Sequence, residues 1–324
     1  MDPFVVLGPI ILLVIVLGFV TYAILFERKI IGWMQNRVGP NQVGPWGLLQ
    51  TVADVLKLWM KEDVIPEKAD KFLYTFAPTI AFVPSFAVLA VIPFTDKIKF
   101  ADIGVGLLYY LAVSSITVIG MLIGGWSSNS KYSLLGGIRS TAQMISYEIP
   151  LVMAVVGVIM SANTLNLTEI VNAQKNVWFI IPQFLGFIVF LIASLAELNR
   201  TPFDLPEAES EIVAGYHVEY TGFRFAFFML TEYVYVFAMA SLTTVLFLGG
   251  WHAPFGLTMI PPIIWFLLKF SCIVFFLFWL RATLPRMRAD QLMPFAWKVL
   301  LPLAIGNIFL TAIFKELPIL QSIY

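Results

Sequence analysis

The chain has 324 residues, 60% hydrophobic and only 12% charged, with a formal net charge of zero, against about 25% charged residues in soluble domains. This balance and a mean hydropathy of +0.88 place it among integral membrane proteins and leave no basic surface for nucleic acid. The single cysteine, Cys272, excludes disulfides within the chain and any all-cysteine iron–sulfur or zinc site; His217 and His252 are too far apart for a metal motif, and no GxGxxG or Walker pattern occurs.

Eight apolar runs are long enough to cross a bilayer, which takes about 20 helical residues. They cover 4–26, 72–95, 103–125, 140–162, 177–197, 225–250, 261–283 and 297–315. The predicted fold is therefore all-α: one polytopic integral membrane domain, 1–324, with eight transmembrane helices. Run 4–26 lacks a basic leader and ends in Glu27-Arg28-Lys29 rather than a small-residue cleavage site, so it reads as a permanent span. In loop 27–71, Val38-Gly39-Pro40 and Val43-Gly44-Pro45 read as paired turns. Residues 47–61 follow, with Leu48, Leu49, Val52, Leu56, Trp59 and Met60 on one helical face and Asp54, Lys57 and Lys61 off it. That segment is too short to span and suits an amphipathic helix in the membrane interface, or one packed on the protein's own core.

Sidedness follows from the basic residues. Fifteen Lys and Arg fall in the odd loops and their edges, at 27–71, 126–139, 198–224 and 281–298, against four in the other loops and the tail. The odd loops are expected to be cytoplasmic and both termini outside. Trp126, Trp178, Trp251, Trp279 and Trp297 near span ends fit an interfacial belt.

Ionisable groups inside a span are costly and default to function. Glu148 and Glu232 each lie about seven or eight residues into their spans, roughly 10 Å from the cytoplasmic edge. Lys269 could pair with one of them; a structural ion pair is the plainer alternative. The densest charge lies at 197–219, which holds six of the 20 acidic residues. Asp204, Glu207 and Glu211 share one helical face, and Glu209 points away. Crowded, partly buried carboxylates raise one another's pKa and can exchange protons near neutrality. Helix capping is the competing account of Asp204 and Glu207, and a solvated acidic loop is another. Capping does not explain Glu209, Glu211, Glu219 and Glu232, and the interleaved Phe203, Leu205, Ile212, Val213 and Tyr216 argue against the full exposure of a solvated loop. Arg28, Arg37, Arg281, Arg286 and Arg288 either reflect charge bias alone, or some of them line a polar mouth for a ligand headgroup or dock a cytoplasmic partner.

Three motifs carry a family resemblance. Glu27-Arg28-Lys29-Ile30-Ile31-Gly32-Trp33-Met34-Gln35-Asn36-Arg37-Val38-Gly39-Pro40-Asn41, Glu197-Leu198-Asn199-Arg200-Thr201-Pro202-Phe203-Asp204-Leu205-Pro206-Glu207-Ala208-Glu209-Ser210-Glu211 and Arg286-Met287-Arg288-Ala289-Asp290-Gln291-Leu292-Met293 resemble the first, third and fourth cytoplasmic loops of one family of respiratory complex I proteins, that of the H-type membrane subunit, also called subunit 1. The likeness extends over essentially the whole chain. It implies a membrane subunit of a proton-pumping NADH:quinone oxidoreductase, in the bacterial plasma membrane or its equivalent. Such a subunit carries no redox centre, metal or covalent cofactor, and quinone is the substrate. The implied partners are hydrophilic-arm subunits with the terminal iron–sulfur cluster, small and antiporter-like membrane subunits, and the lipid bilayer. Carried onto this chain, the resemblance places Arg28, Arg37, Asp54, Arg281 and Arg286 along the quinone chamber. The helix 47–61 and spans one and six would frame its lipid-side entrance. Glu148, Glu197, Asp204, Glu207, Glu209, Glu211, Glu219 and Glu232 would form the proton path. The alternatives are the equivalent subunit of a membrane-bound hydrogenase or of a ferredoxin-type quinone-reducing complex, and a stand-alone proton-coupled transporter.

Overall fold

The computed structural model describes residues 3–206, 212–254 and 259–316, and among them there is no strand. In lipid no water can satisfy a backbone N–H or C=O, so an oily chain must close its hydrogen bonds within helices. The α-helices are α1 (Pro3–Met34), α2 (Gln50–Met60), α3 (Lys71–Ala87), α4 (Gly106–Ser114), α5 (Ile116–Ser127), α6 (Lys131–Ala162), α7 (Leu167–Ala173), α8 (Phe184–Glu197), α9 (Gly222–Phe247), α10 (Pro262–Thr283), α11 (Ala289–Phe295) and α12 (Leu301–Glu316).

Seven helical segments among the described residues are long and apolar enough to cross a membrane: Leu7–Met34, Lys71–Val91, Gly106–Ser127, Lys131–Ala162, Gly222–Phe247, Pro262–Thr283 and Asp290–Glu316. The segment expected to span at 177–197 differs. Only α8 is helical there, and its 14 residues reach about 21 Å, short of a hydrocarbon core of roughly 30 Å. The preceding turn explains the loss. Pro182 has no N–H to extend the ladder, and Ile180 donates its N–H to Phe247 O at 2.9 Å instead of to its own helix.

Two other boundaries shift. α1 continues past residue 26 to Met34, carrying Glu27 and Arg28 on its last turns. α6 begins at Lys131 rather than 140, so most of the loop expected over 126–139 is helical. Close backbone approach makes this possible. A Cβ on Gly136 would lie 2.5 Å from the backbone of Gly215, and one on Gly125 2.7 Å from Ser133 O.

The loops gather at two ends. At one, Asp70 N–H donates to Ser127 O and Met287 N–H to Pro202 O, while Val64 N–H donates to Thr221 Oγ1. These contacts join 61–71, 127–130, 198–221 and 284–288. At the other end Leu107 N–H donates to Leu165 O and Gly249 N–H to Gln174 Oε1. The stretch 177–197 therefore carries the chain from one end to the other, even though its helix is short.

Apolar burial drives little association when the solvent is lipid; tight packing and interhelical hydrogen bonds do more. α9 is the hub: 72% of its most apolar window is buried, against 28% for α1. On the flank, Gln183 donates to Ser161 Oγ and Thr311 Oγ1 and accepts from Asn307 Nδ2, which ties α8 to α6 and α12. The short helix α2 buries Thr51 and leaves Val55, Leu56, Trp59 and Met60 exposed, so its apolar face points outward rather than into the core.

Candidate functional site

The first of the two loop-bearing ends holds a buried charge cluster. Its centre is Glu27, 2% exposed, on the α1 extension. Arg200 Nη1 donates to Glu27 Oε1 at 3.1 Å, Arg281 Nη1 donates to the same oxygen, and Tyr233 OH donates to Oε2 at 2.6 Å. Arg200 also reaches Glu232, Nη2 to Oε2 3.7 Å, and lies over the Tyr233 ring at 4.6 Å. Tyr216 OH donates to Glu232 Oε1 at 3.2 Å. Nearby, Arg286 Nη2 contacts Asp204 Oδ2 at 3.0 Å. The cluster thus draws on α1, the loop after α8, α9, and α10 with the loop after it.

Local structure aims these groups. Asn199 takes a left-handed backbone, φ 49°, which asparagine tolerates and which turns the chain sharply out of α8. Gln143 of α6 holds that turn, its Nε2 within reach of Ala196 O, Asn199 Oδ1 and Phe203 O at 2.8, 3.1 and 2.8 Å. Arg200 N–H donates back to Leu195 O. With its backbone fixed, the Arg200 side chain is presented between Glu27 and Glu232.

A polar cavity of about 90 Å³ lies against the cluster, lined by Asn199, Arg200, Thr201, Asp204, Met229, Glu232, Tyr233 and Arg281. It has room for a few waters, each occupying about 30 Å³, and is below the roughly 300 Å³ of a small-molecule site. Asp204 Oδ1 is buried and unpartnered. Burial pushes the Asp204 carboxyl above its usual range, opposed by the charges of Arg286 and Arg281. Two unit charges 4 Å apart couple by on the order of 4 kcal/mol at an effective dielectric of 20. Protonation of one carboxylate here therefore changes the field at its neighbours.

A second carboxylate pair lies deeper in the bundle. Glu197, the last residue of α8, is buried and accepts from Tyr235 OH at 2.6 Å, while its other oxygen has no partner. Tyr110 OH is also buried and unpartnered. The charge of Glu148 acts on Glu197, and that of Glu197 on Tyr110. A larger apolar groove of about 450 Å³ runs between α1 and α10, with Phe237 of α9 in its wall. Phe26 and Phe278, which also line it, bring it within a turn of Glu27 and Arg281.

The predicted residues divide clearly. Asp204, Glu232, Arg281 and Arg286 converge, and Glu148 and Glu197 form the deeper pair. Arg28 instead pairs with Asp54 at 2.6 Å on the surface, joining α1 to α2, and Arg37 contacts Gln35. Glu219 contributes its backbone oxygen to Tyr74 OH at 2.7 Å. Glu207, Glu209 and Glu211 lie outside the described residues. Lys269 pairs with neither Glu148 nor Glu232. Its Nζ donates to Leu248, Gly250 and His252 carbonyls at 2.6, 3.0 and 2.7 Å and sits over the Trp178 ring at 4.1 Å. A cation at the end of α9 is stabilised there by carbonyls and the helix dipole without a carboxylate. Glu27, Arg200, Tyr216, Tyr233 and Tyr235 join the site although hydropathy and charge spacing did not single them out. Glu27 carried a signal, a carboxylate directly after a long uncharged run. So did the tyrosines, because a hydroxyl buried in a span requires an acceptor.

The model of the NADH dehydrogenase family matches residues 7–312. The chain is 69% identical over 309 residues to the H subunit of the NADH-quinone oxidoreductase of Bacillus thuringiensis (strain Al Hakam), covering 95% of this chain and 93% of that protein. The same figures hold for the proteins of that name from Bacillus cereus (strain AH187) and Bacillus anthracis (strain CDC 684 / NRRL 3495).

Proposed function

The chain belongs to the family of the H-type membrane subunit, or subunit 1, of NADH-quinone oxidoreductases, and we propose that it anchors the hydrophilic arm of such a complex, walls part of its quinone chamber and couples quinone reduction to proton movement. In this reading 177–197 makes an eighth crossing, the loops at 27–71, 126–139, 198–224 and 284–296 face the cytoplasm, and α2 lies in the interface. The grouping of those loops at one end of the bundle supports that parity. Electrons come from an iron–sulfur partner in the arm. Arg28, Arg37, Asp54, Arg281 and Arg286 line the approach of the quinone, and the groove between α1 and α10 offers an apolar path for its tail. Glu148, Glu197, Asp204, Glu207, Glu209, Glu211, Glu219 and Glu232 carry the protons.

The observation that bears most weight is Arg200 placed between Glu27 and Glu232. Reducing a quinone consumes protons and changes the charge beside Arg281 and Asp204. A guanidinium shared by two carboxylates responds by leaning toward the one that remains charged. That movement alters the second carboxylate's hold on its proton and links the chamber to Glu232, and from there to Glu197 and Glu148. Glu148→Gln and Glu211→Gln are each expected to lower quinone-coupled turnover in fully assembled complex. Wild-type turnover in assembled variants would contradict the assignment.

A further inference from the structure

His217 lies beside the charged cluster without joining its ion pairs. It sits in the short turn Gly215–His217 before α9 and is 8% exposed. Its ring meets Tyr216 and Phe225 edge-on, centroids 5.0 and 5.3 Å apart. Nδ1 is buried with no hydrogen-bond partner, an uncommon state for a polar nitrogen, so the residue's remaining exposure excludes that atom. The adjacent Tyr216 holds Glu232 through its hydroxyl. Among the described residues, Glu232 is the one charged group that acts on the imidazole. α5 and α6 pack against this turn and bring no charge that acts on the ring; α6 meets it through Gly136 and through Ser133, whose hydroxyl donates to Tyr216 O at 2.8 Å. Burial holds the His217 pKa below its usual value, against the opposing pull of Glu232.

A neutral imidazole has one N–H and one lone pair on opposite sides, so it can accept a proton at one nitrogen and release another from the second. We propose that His217 is the proton inlet of the charged cluster, taking a proton from water at Nε2 and releasing the Nδ1 proton to Glu232 through an intervening water. One proton enters and one leaves, no electrons move, and rotation of the ring resets the tautomer. Tyr216 keeps the receiving carboxylate in place. The inference rests on the reading of Glu232 as a proton carrier.

The test compares pH profiles of quinone-coupled turnover in the intact complex in native membranes, for wild type, His217→Gln and Glu232→Gln, with and without added imidazole. His217→Gln is expected to fall about a hundredfold on the alkaline side, the low end of general acid–base effects, to fall less on the acid side, and to recover several-fold with imidazole. Glu232→Gln is expected to be low throughout and unresponsive. His217→Asn serves where the glutamine variant fails to assemble. A His217 variant that follows the wild-type profile, or that is lowered equally at every pH with no response to imidazole, overturns the inlet. Wild-type behaviour of Glu232→Gln would instead overturn the reading on which it rests.

Discussion

At one end of the bundle the ammonium of Lys269 gives its N–H donors to the carbonyls of Leu248, Gly250 and His252 and rests on Trp178. At the other, Glu27 is shared by Arg200, Arg281 and Tyr233, and Arg200 reaches on to Glu232. Both sites bury charge, but their states differ. Three donors facing three fixed acceptors leave Lys269 saturated, with nothing to gain by moving. In the Glu27 cluster one guanidinium serves two carboxylates, a cavity adjoins them, and Asp204 keeps a buried oxygen unpaired. A buried charge is therefore a weak sign of function by itself. The stronger sign is a buried charge with a choice of partners.

Glu27→Gln should have the largest effect. Breaking a buried ion pair costs about 3–5 kcal/mol. The lower end applies because Arg281 is 33% exposed and Arg200 retains Glu232. Thermal unfolding of the purified complex should register that loss, and quinone-coupled turnover should fall with it. Lys269→Met sharpens the contrast. It orphans backbone carbonyls at about 1–3 kcal/mol for an unmet buried group, yet turnover per assembled complex should stay at the wild-type level. A turnover defect without destabilisation would break the comparison.

Asp204→Asn should have the smallest effect. Burial raises the folded-state pKa of Asp204, so the folded protein keeps a proton that the unfolded chain loses first. Stability from this group is present below the unfolded value, about 3.9 for aspartate, and is lost as pH rises through the folded one. The asparagine variant should lack that slope in melting temperature against pH.

Hydropathy alone revealed most of the fold, because a membrane span must be a long apolar helix and little else. It failed at 177–183, where an apolar stretch with Pro182 turns the N–H of Ile180 to Phe247 rather than to its own helix. It also failed at 131–139, where Lys131 and Arg139 made a helix resemble a loop. In the site, Asp204, Glu232, Arg281 and Arg286 were legible because charge in an oily chain is conspicuous. The carbonyl partners of Lys269 were not, since backbone acceptors leave no mark in a sequence. Nor was the role of Arg200, which depends on Asn199 and Gln143 turning the chain after α8.

The central claim is that the carboxylates joined through Arg200 carry protons for quinone reduction. The most direct measurement is proton translocation per quinone reduced in membranes carrying assembled Glu232→Gln complex. Translocation is expected to be largely abolished, and turnover to fall with it. Translocation and turnover both at the wild-type level would contradict the claim.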